Sequence, residues 1–230
     1  MRQDTFFITG TDTGVGKTVL TALLARSLKE KGLQVAALKP ICSGGRGDAC
    51  VLQASLDHVL TLDEVNPWHY RASLAPLLAA RREHKRVRLP DVLAHIRALQ
   101  KRFDVLLVEG AGGLLSPLGE GFNTCDLIAA LRATPVIVCP NRLGAVNQVL
   151  LTLEALPSRA RARAQVVLIA PPKADVSTKT NSALLAEQFE GNRIFQLPWL
   201  GRRFTLAGGL ENLPVRSAVK GLASSFQFFP

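Results

Sequence analysis

The stretch Gly10-Thr-Asp-Thr-Gly-Val-Gly-Lys-Thr18, GTDTGVGKT, follows a short β-rich run, Thr5 to Thr9, and precedes apolar residues at helical spacing. Its last letters, Gly16-Lys17-Thr18, are those of a phosphate-binding loop, in which a glycine-rich backbone lets N–H groups converge on phosphate oxygens at a helix start. The usual pattern opens on a glycine, then four residues, then Gly-Lys. Here that opening place holds Thr11, and the glycine stands one step earlier, at Gly10. A bare glycine turn is the alternative reading, but a turn alone has no use for Gly-Lys-Thr where a helix begins. The stretch therefore predicts strand, lengthened loop and helix, with Gly14, Val15, Gly16, Lys17, Thr18 and Val19 binding a nucleotide. In that reading Lys17 meets β- and γ-phosphate oxygens, and the Thr18 hydroxyl meets magnesium.

Outward from the loop, Val19, Leu20, Leu23, Leu24 and Leu28 recur at helical spacing until Lys31-Gly32 stops them. Gln34 to Leu38 reads as a second strand ending at Lys39-Pro40, where proline disfavours a central ladder. A Gly-rich loop, CSGGRGDA, comes next, then a helix over Val51 to Leu60, a turn at Asn66-Pro67 and a helix over Ser73 to Arg82. Leu89-Pro90-Asp91 begins a helix to about Lys101, with Val92, Leu93, Ile96 and Leu99 on one face. Asp104 to Val108, Thr134 to Cys139 and Ala164 to Ala170 are continuous apolar strands of the kind buried on both faces of a parallel sheet. A helix lies near Gly144 to Leu156, and Arg193 to Gln196 is a shorter strand. Strands alternating with helices predict an α/β fold: one doubly wound, mostly parallel sheet with helices on both faces, as a single domain over residues 1–230. Segment 211–230 receives no role.

Ligands of such sheets sit beyond the carboxyl ends of the strands, and the loops after Thr9, Leu38 and Val108 all leave from that edge. Glu109 stands at a strand tip and is followed by Gly110-Ala111-Gly112, a loop that permits close nucleotide approach. Magnesium takes one or two carboxylates beside phosphate and water. Glu109 and Asp48 are the candidates, with helix capping or a solvated turn as the alternative for each. Lys39, on the same edge, is placed to neutralise charge developing in phosphoryl transfer, or else is a surface lysine. Ser43 by itself reads as a turn serine.

With 47% hydrophobic and 20% charged residues, the chain has an ordinary soluble composition. No apolar run reaches the roughly 20 residues of a membrane span, and the N-terminus lacks a signal peptide's apolar region. Cys42, Cys50, Cys125 and Cys139 form no metal-like spacing, so reduced thiols and a cytoplasmic protein are expected. A net charge of +10 invites a nucleic-acid partner, but the dense basic runs, Arg81 to Arg88 and Ser158 to Arg163, carry no interleaved aromatics. They read as solvated surface, and neither nucleic acid nor membrane is expected as a partner.

Taken together, GTDTGVGKT, ALKPICSGG with Asp48, VEGAGGLLSPL and the late LPWLG resemble the dethiobiotin synthetase family over roughly residues 5 to 205. That family carries the lengthened loop. The resemblance implies a cyclo-ligase of biotin biosynthesis that uses magnesium and ATP to join 7,8-diaminopelargonic acid with CO₂. A carbamate forms on one amine, accepts the γ-phosphoryl group as a carbamic-phosphoric anhydride, and is attacked by the second amine to close a cyclic urea. It implies catalytic roles for Lys17, Lys39 and Thr13, metal roles for Thr18, Asp48 and Glu109, and contact of Ser43 with the diamine. It further implies a homodimer in which the helix start at Gly144, Ala145 and Asn147 receives the substrate carboxylate; an ordinary helix start is the alternative. Helix N-termini suit anions on physical grounds.

The chain departs from the family at Pro171-Pro172, where many members place an Asn-Asp pair whose Asn reads adenine. CTP or another nucleotide, or backbone recognition near Pro198, Trp199 and Leu200, follows as an expectation. Gly14 stands where some members have glutamate, and Glu211 is a guessed nucleotide-edge contact. Two rivals share the loop. One is a P-loop amidating synthetase, which usually adds a glutamine-hydrolysing domain for which 230 residues leave no room. The other is a ParA/MinD-like nucleotide-switch ATPase, whose loop carries an early lysine absent from GTDTG.

Overall fold

The computed structural model describes residues 4–189, 193–200 and 206–226. The chain opens with β1 (Asp4–Gly10), α1 (Lys17–Glu30) and β2 (Val35–Leu38), and continues through β3 (Ile41–Ser43), α2 (Gly47–Ser55), α3 (Leu62–Val65), β4 (Trp68–Tyr70), α4 (Pro76–Arg82) and α5 (Leu89–Gln100). Next come β5 (Val105–Glu109), β6 (Pro117–Gly119), β7 (Phe122–Asn123), α6 (Thr124–Leu131), β8 (Thr134–Pro140), α7 (Ala145–Glu154) and α8 (Ser158–Arg161). Finally there are β9 (Gln165–Ile169), a 3-10 turn (Val176–Lys179), α9 (Asn181–Gln188), β10 (Ile194–Leu197), α10 (Leu206–Glu211) and α11 (Leu213–Ser225).

The six apolar strands pair in the order β10-β9-β8-β1-β5-β2, all parallel. Thus β1 lies between β5 and β8, with Ile8 level with both Glu109 and Val136. Alternation along β1 sends its side chains to two helical layers. Phe6 stacks on Phe226 just past α11, with ring centroids 3.8 Å apart, while Phe7 lies against Gly110 and the Thr124 start of α6. α1, α10 and α11 pack together on one face, and α5, α6 and α7 lie over the other. In α11 the buried Val215, Val219, Leu222 and Ala223 recur at helical spacing, so part of segment 211–230 belongs to the core.

Some expected elements are displaced, each for a visible reason. The helix expected over Val51 to Leu60 instead begins at Gly47 and stops at Ser55, because Asp57 and His58 take positive φ (54° and 57°), outside helical space. The helix expected from Ser73 begins at Pro76, whose ring suits the first turn. The parallel pair β3-β4 and the hairpin β6-β7 are too short to show a period. Among the described residues no helix is long and apolar enough to cross a membrane. In the first basic run Arg81 pairs with Glu120, Lys85 with Glu83 and Arg88 with Asp91, and in the second Arg161 pairs with Glu154.

Candidate functional site

β1 delivers Gly10 to the sheet's carboxyl edge, and the chain turns through Thr11 to Gly16 into α1. The turn is tight: a Cβ at Gly10 would stand 2.7 Å from Val15 Cγ2. Gly16 adopts φ 98° and faces β9 so closely that a Cβ there would lie 2.6 Å from Ile169 Cδ1. Only glycine meets both demands. Helix α1 has no side-chain cap and no acidic residue in its first turn. Its orphan N–H groups and positive dipole end are therefore left to an external anion.

Lys17 is buried, and its Nζ folds back to donate to the Asp12 carbonyl at 2.7 Å. Burial, and next repulsion from Lys39, push its pKa down to about 8. Two cations held close enough to repel in a shielded pocket favour an anion between them. Lys39 is 5% exposed and its Nζ stands 2.6 Å from both Glu109 Oε1 and Asp48 Oδ2. Burial alone would lower its pKa, but the two carboxylates outweigh that and raise it. Asp48 is likewise opposed by burial yet held below the usual carboxylate range by Lys39. It sits in the first turn of α2 rather than at the cap, which Arg46 occupies.

Glu109 is 1% exposed. Its Oε1 accepts from the Thr18 hydroxyl at 2.7 Å as well as from Lys39, while its Oε2 is buried with no hydrogen-bond partner. An unsatisfied buried carboxylate oxygen is costly in an otherwise complete structure. With the Thr18 hydroxyl and the Asp48 carboxylate it makes a hard, all-oxygen donor set of the kind magnesium takes beside phosphate. No cluster of three or more His, Cys, Asp or Glu suited to a metal occurs among the described residues, which a metal completed by nucleotide oxygens does not require.

These groups line a cleft of about 430 Å³ that also takes in Thr13, Gly14 and Gly16 from the loop, Val19 of α1, Ser43, and Ala111 and Gly112. Thr13 is fixed by its neighbour, its N–H donating to Asp12 Oδ1 at 2.6 Å. Ser43 hydroxyl donates to the Leu74 carbonyl at 2.5 Å, so the turn-serine reading also holds for it. Other expected residues lie outside this cleft. Val15 is buried beneath the loop, and Gly110 packs on Phe7 and Thr124. Gly144 caps α7 at φ 88°, with Ala145 and Asn147 in its first turn, which has neither acidic residue nor side-chain cap. Pro198, Trp199 and Leu200 follow β10, with Trp199 44% exposed. Glu211 ends α10 and is exposed. A second cleft, about 460 Å³, opens beyond Thr11 and Asp12 toward Gly113–Ser116 and the α7 residues Leu151 and Thr152.

Sequence reasoning missed Cys42, which lines the first cleft, and the pair Arg46 and Asn66 beneath it. Cys42 had no motif to mark it. Asn66 was visible only as half of a turn signal.

The chain also resembles known proteins. The AAA domain family matches residues 4–202. An ATP-dependent dethiobiotin synthetase of Anaeromyxobacter dehalogenans (strain 2CP-1) is 40% identical over 198 residues, 84% of this chain and 89% of that protein. Another, from Akkermansia muciniphila, is 41% identical over 154 residues, 67% of this chain and 72% of its own. Among solved structures, a ParA family ATPase from Chlorobium tepidum TLS superposes with a TM-score of 0.61 over 96% of this chain and 98% of its own, at 12% identity. The MinC:MinD complex of Aquifex aeolicus gives 0.63 at 15% identity, covering 99% of this chain and 96% of that one. At such identities the likeness concerns the fold alone.

Proposed function

The chain belongs to the ATP-dependent dethiobiotin synthetase family, and on that premise we propose that it carboxylates 7,8-diaminopelargonic acid and closes the dethiobiotin ring at the expense of a nucleoside triphosphate. One amine adds to CO₂ and loses a proton to give a carbamate. A carbamate oxygen attacks the γ-phosphorus and the nucleoside diphosphate leaves, giving a carbamic-phosphoric anhydride. The second amine then attacks the carbonyl carbon, inorganic phosphate departs, and a cyclic urea remains.

The observation that carries this reading is the convergence of Lys17, Lys39 and Glu109 in one cleft beside the uncapped start of α1. The protein's part is positioning and charge stabilisation rather than covalent chemistry. The amides of Gly14 to Thr18 and the Lys17 ammonium hold the β- and γ-phosphates. Lys39 holds the carbamate oxygen in line with the γ-phosphate, and Thr13 lies on the side where that second, small anion would sit. Ser43 contacts the diamine. Thr18, Asp48 and Glu109 would hold magnesium, which when bound offsets charge on the phosphate oxygens.

The same reading makes the active unit a homodimer. Leu115 and Leu151 are exposed apolar residues lining the second cleft, and the helix start at Gly144, Ala145 and Asn147, which has neither side-chain cap nor acidic residue in its first turn, suits the carboxylate of a long substrate. The base is read without the side-chain amide common in the family, since Pro171-Pro172 offers none. ATP use agrees with the relatives' name, and CTP or another triphosphate is accepted too. The test is to supply magnesium, ATP, bicarbonate and the diamine, and to follow phosphate together with the cyclic urea by mass spectrometry. One phosphate per urea is expected. Phosphate release that needs neither diamine nor bicarbonate would overturn the reading.

A further inference from the structure

We infer that Asn66, braced by Arg46, is a positioning residue for phosphoryl transfer, fixing where Lys39 and Asp48 stand without touching the reactants. The inference rests on the roles given above to those two residues.

β2 is the edge strand of the sheet, and Lys39 lies just past its end, where the ladder offers no further partner. The segment around Asn66 supplies partners instead. Lys39 N–H donates to the Val65 carbonyl at 3.0 Å, and the Lys39 carbonyl accepts the Asn66 side-chain Nδ2–H at 2.6 Å. The other end of the amide faces the next loop: Asn66 Oδ1 accepts from Arg46 Nε and from the Cys42 thiol, each at 3.2 Å. Arg46 also donates to the backbone carbonyls of Leu62 (2.7 Å) and Asn66 (3.0 Å) and to Asp63 Oδ1 (2.8 Å). It occupies the cap of α2, and Asp48 is in that helix's first turn.

A single fully buried amide therefore links the backbone that carries Lys39 to the residue that launches the helix carrying Asp48. The task needs a donor and an acceptor on one planar group, which an apolar side chain of the same size lacks. Satisfying buried backbone would be reason enough for a polar residue here. The added consequence is geometric, because a displacement of about 1 Å at a reacting group costs on the order of 10²-fold in rate.

The experiment compares Asn66→Ala with Ile96→Ala, a core change in α5 away from the cleft, at a temperature where both variants are folded by circular dichroism. Turnover at saturating nucleotide, nucleotide affinity and half-saturating magnesium are measured for each. The Asn66 variant is expected to lose turnover at least tenfold and to need more magnesium, with nucleotide affinity within twofold of the parent. Arg46→Gln, at a partly exposed site, is expected to shift the same two quantities less, and takes over the test if Asn66→Ala does not fold. A turnover loss no larger than that of Ile96→Ala, with magnesium demand unchanged, overturns the inference. Lys39→Ala with normal turnover instead overturns the reading on which it rests, so the two failures are separable.

Discussion

Beyond the carboxyl ends of β1, β2 and β5, charged side chains hold one another: Lys39 bridges Glu109 and Asp48, and Thr18 closes on Glu109. Beyond β8, β9 and β10 the loops hold one another too, but mostly through amides and carbonyls, with one carboxylate, Asp175, accepting from the Leu143 N–H. Asn141 N–H donates to the Ile169 carbonyl at 2.7 Å, Asn181 Nδ2 donates to Asn141 Oδ1 at 2.9 Å, and Ala170 N–H donates to the Leu197 carbonyl at 2.8 Å. The first half has charges prearranged for phosphate and metal; the second has shape and backbone, with prolines and an exposed tryptophan at its rim. In the function proposed above, one edge of one sheet divides the work, fixing the chemistry tightly on one side and leaving recognition of the rest of the nucleotide loosely specified on the other.

The sharpest way to break that division is Lys39→Ala. It should lower turnover about 10²- to 10³-fold, the range seen when one transition-state charge partner is removed, while nucleotide affinity holds. Steady-state rates beside equilibrium nucleotide titration decide it; a near-normal rate would place the chemistry elsewhere. Gly16→Ala comes next, because φ 98° and Ile169 both oppose a side chain. Strain of about 1–3 kcal/mol is expected to weaken both the fold and nucleotide binding. Pairing it with Ile169→Ala should restore only the part due to the clash, read by thermal melting.

Base choice tests the other half directly. Sites built to hydrogen-bond a group can discriminate by 10⁴ or more, whereas shape alone gives roughly 10- to 200-fold. The ratio of kcat/KM between ATP and CTP should therefore stay below roughly 200-fold; a ratio above a thousand would mean that backbone atoms read the base as strictly as charges read the phosphates. The smallest effect is expected at Glu64, which closes a capping box on Thr61 and binds Arg102 at the start of α3, the segment that carries Asn66. Arg102, then the Thr61 backbone, hold its pKa below 4.5. Its stabilisation is present above the unfolded value and is lost as pH falls through the folded one. Glu64→Gln, which keeps the capping-box acceptor but loses the charge facing Arg102, should cost less than about 1 kcal/mol at neutral pH, and the gap from the parent should close in acid, measured by urea melts at several pH values.

The half of the site that could be read from the sequence is the half built from contiguous letters. GTDTGVGKT fixes its own backbone, and Lys39 and Glu109 follow apolar strands whose ends could be found. Asn66 and Arg46 escaped because their meaning lies in contacts across 16 to 27 positions, with no local period. Helix α6 was missed although Asn123 and Asp126 form a capping box that a sequence can show. Its stop was hidden, since Arg132 takes the left-handed turn (φ 51°) where glycine would be the usual marker. The short β3, β4, β6 and β7 gave no signal, as strands of two or three residues cannot display alternation.

The stacking of Phe6 on Phe226 bears on how the protein is made. β1, the strand that leads into GTDTGVGKT, is synthesised almost a whole chain ahead of the helix that covers it. While the ribosome works, the Phe6 side of β1 has α1 beside it but lacks α10 and α11, and domains of this length commonly pass through such partly exposed intermediates. A nascent chain held before α11 emerges would carry every residue of the charged cluster and still lack the ring that stacks on Phe6 in its first strand.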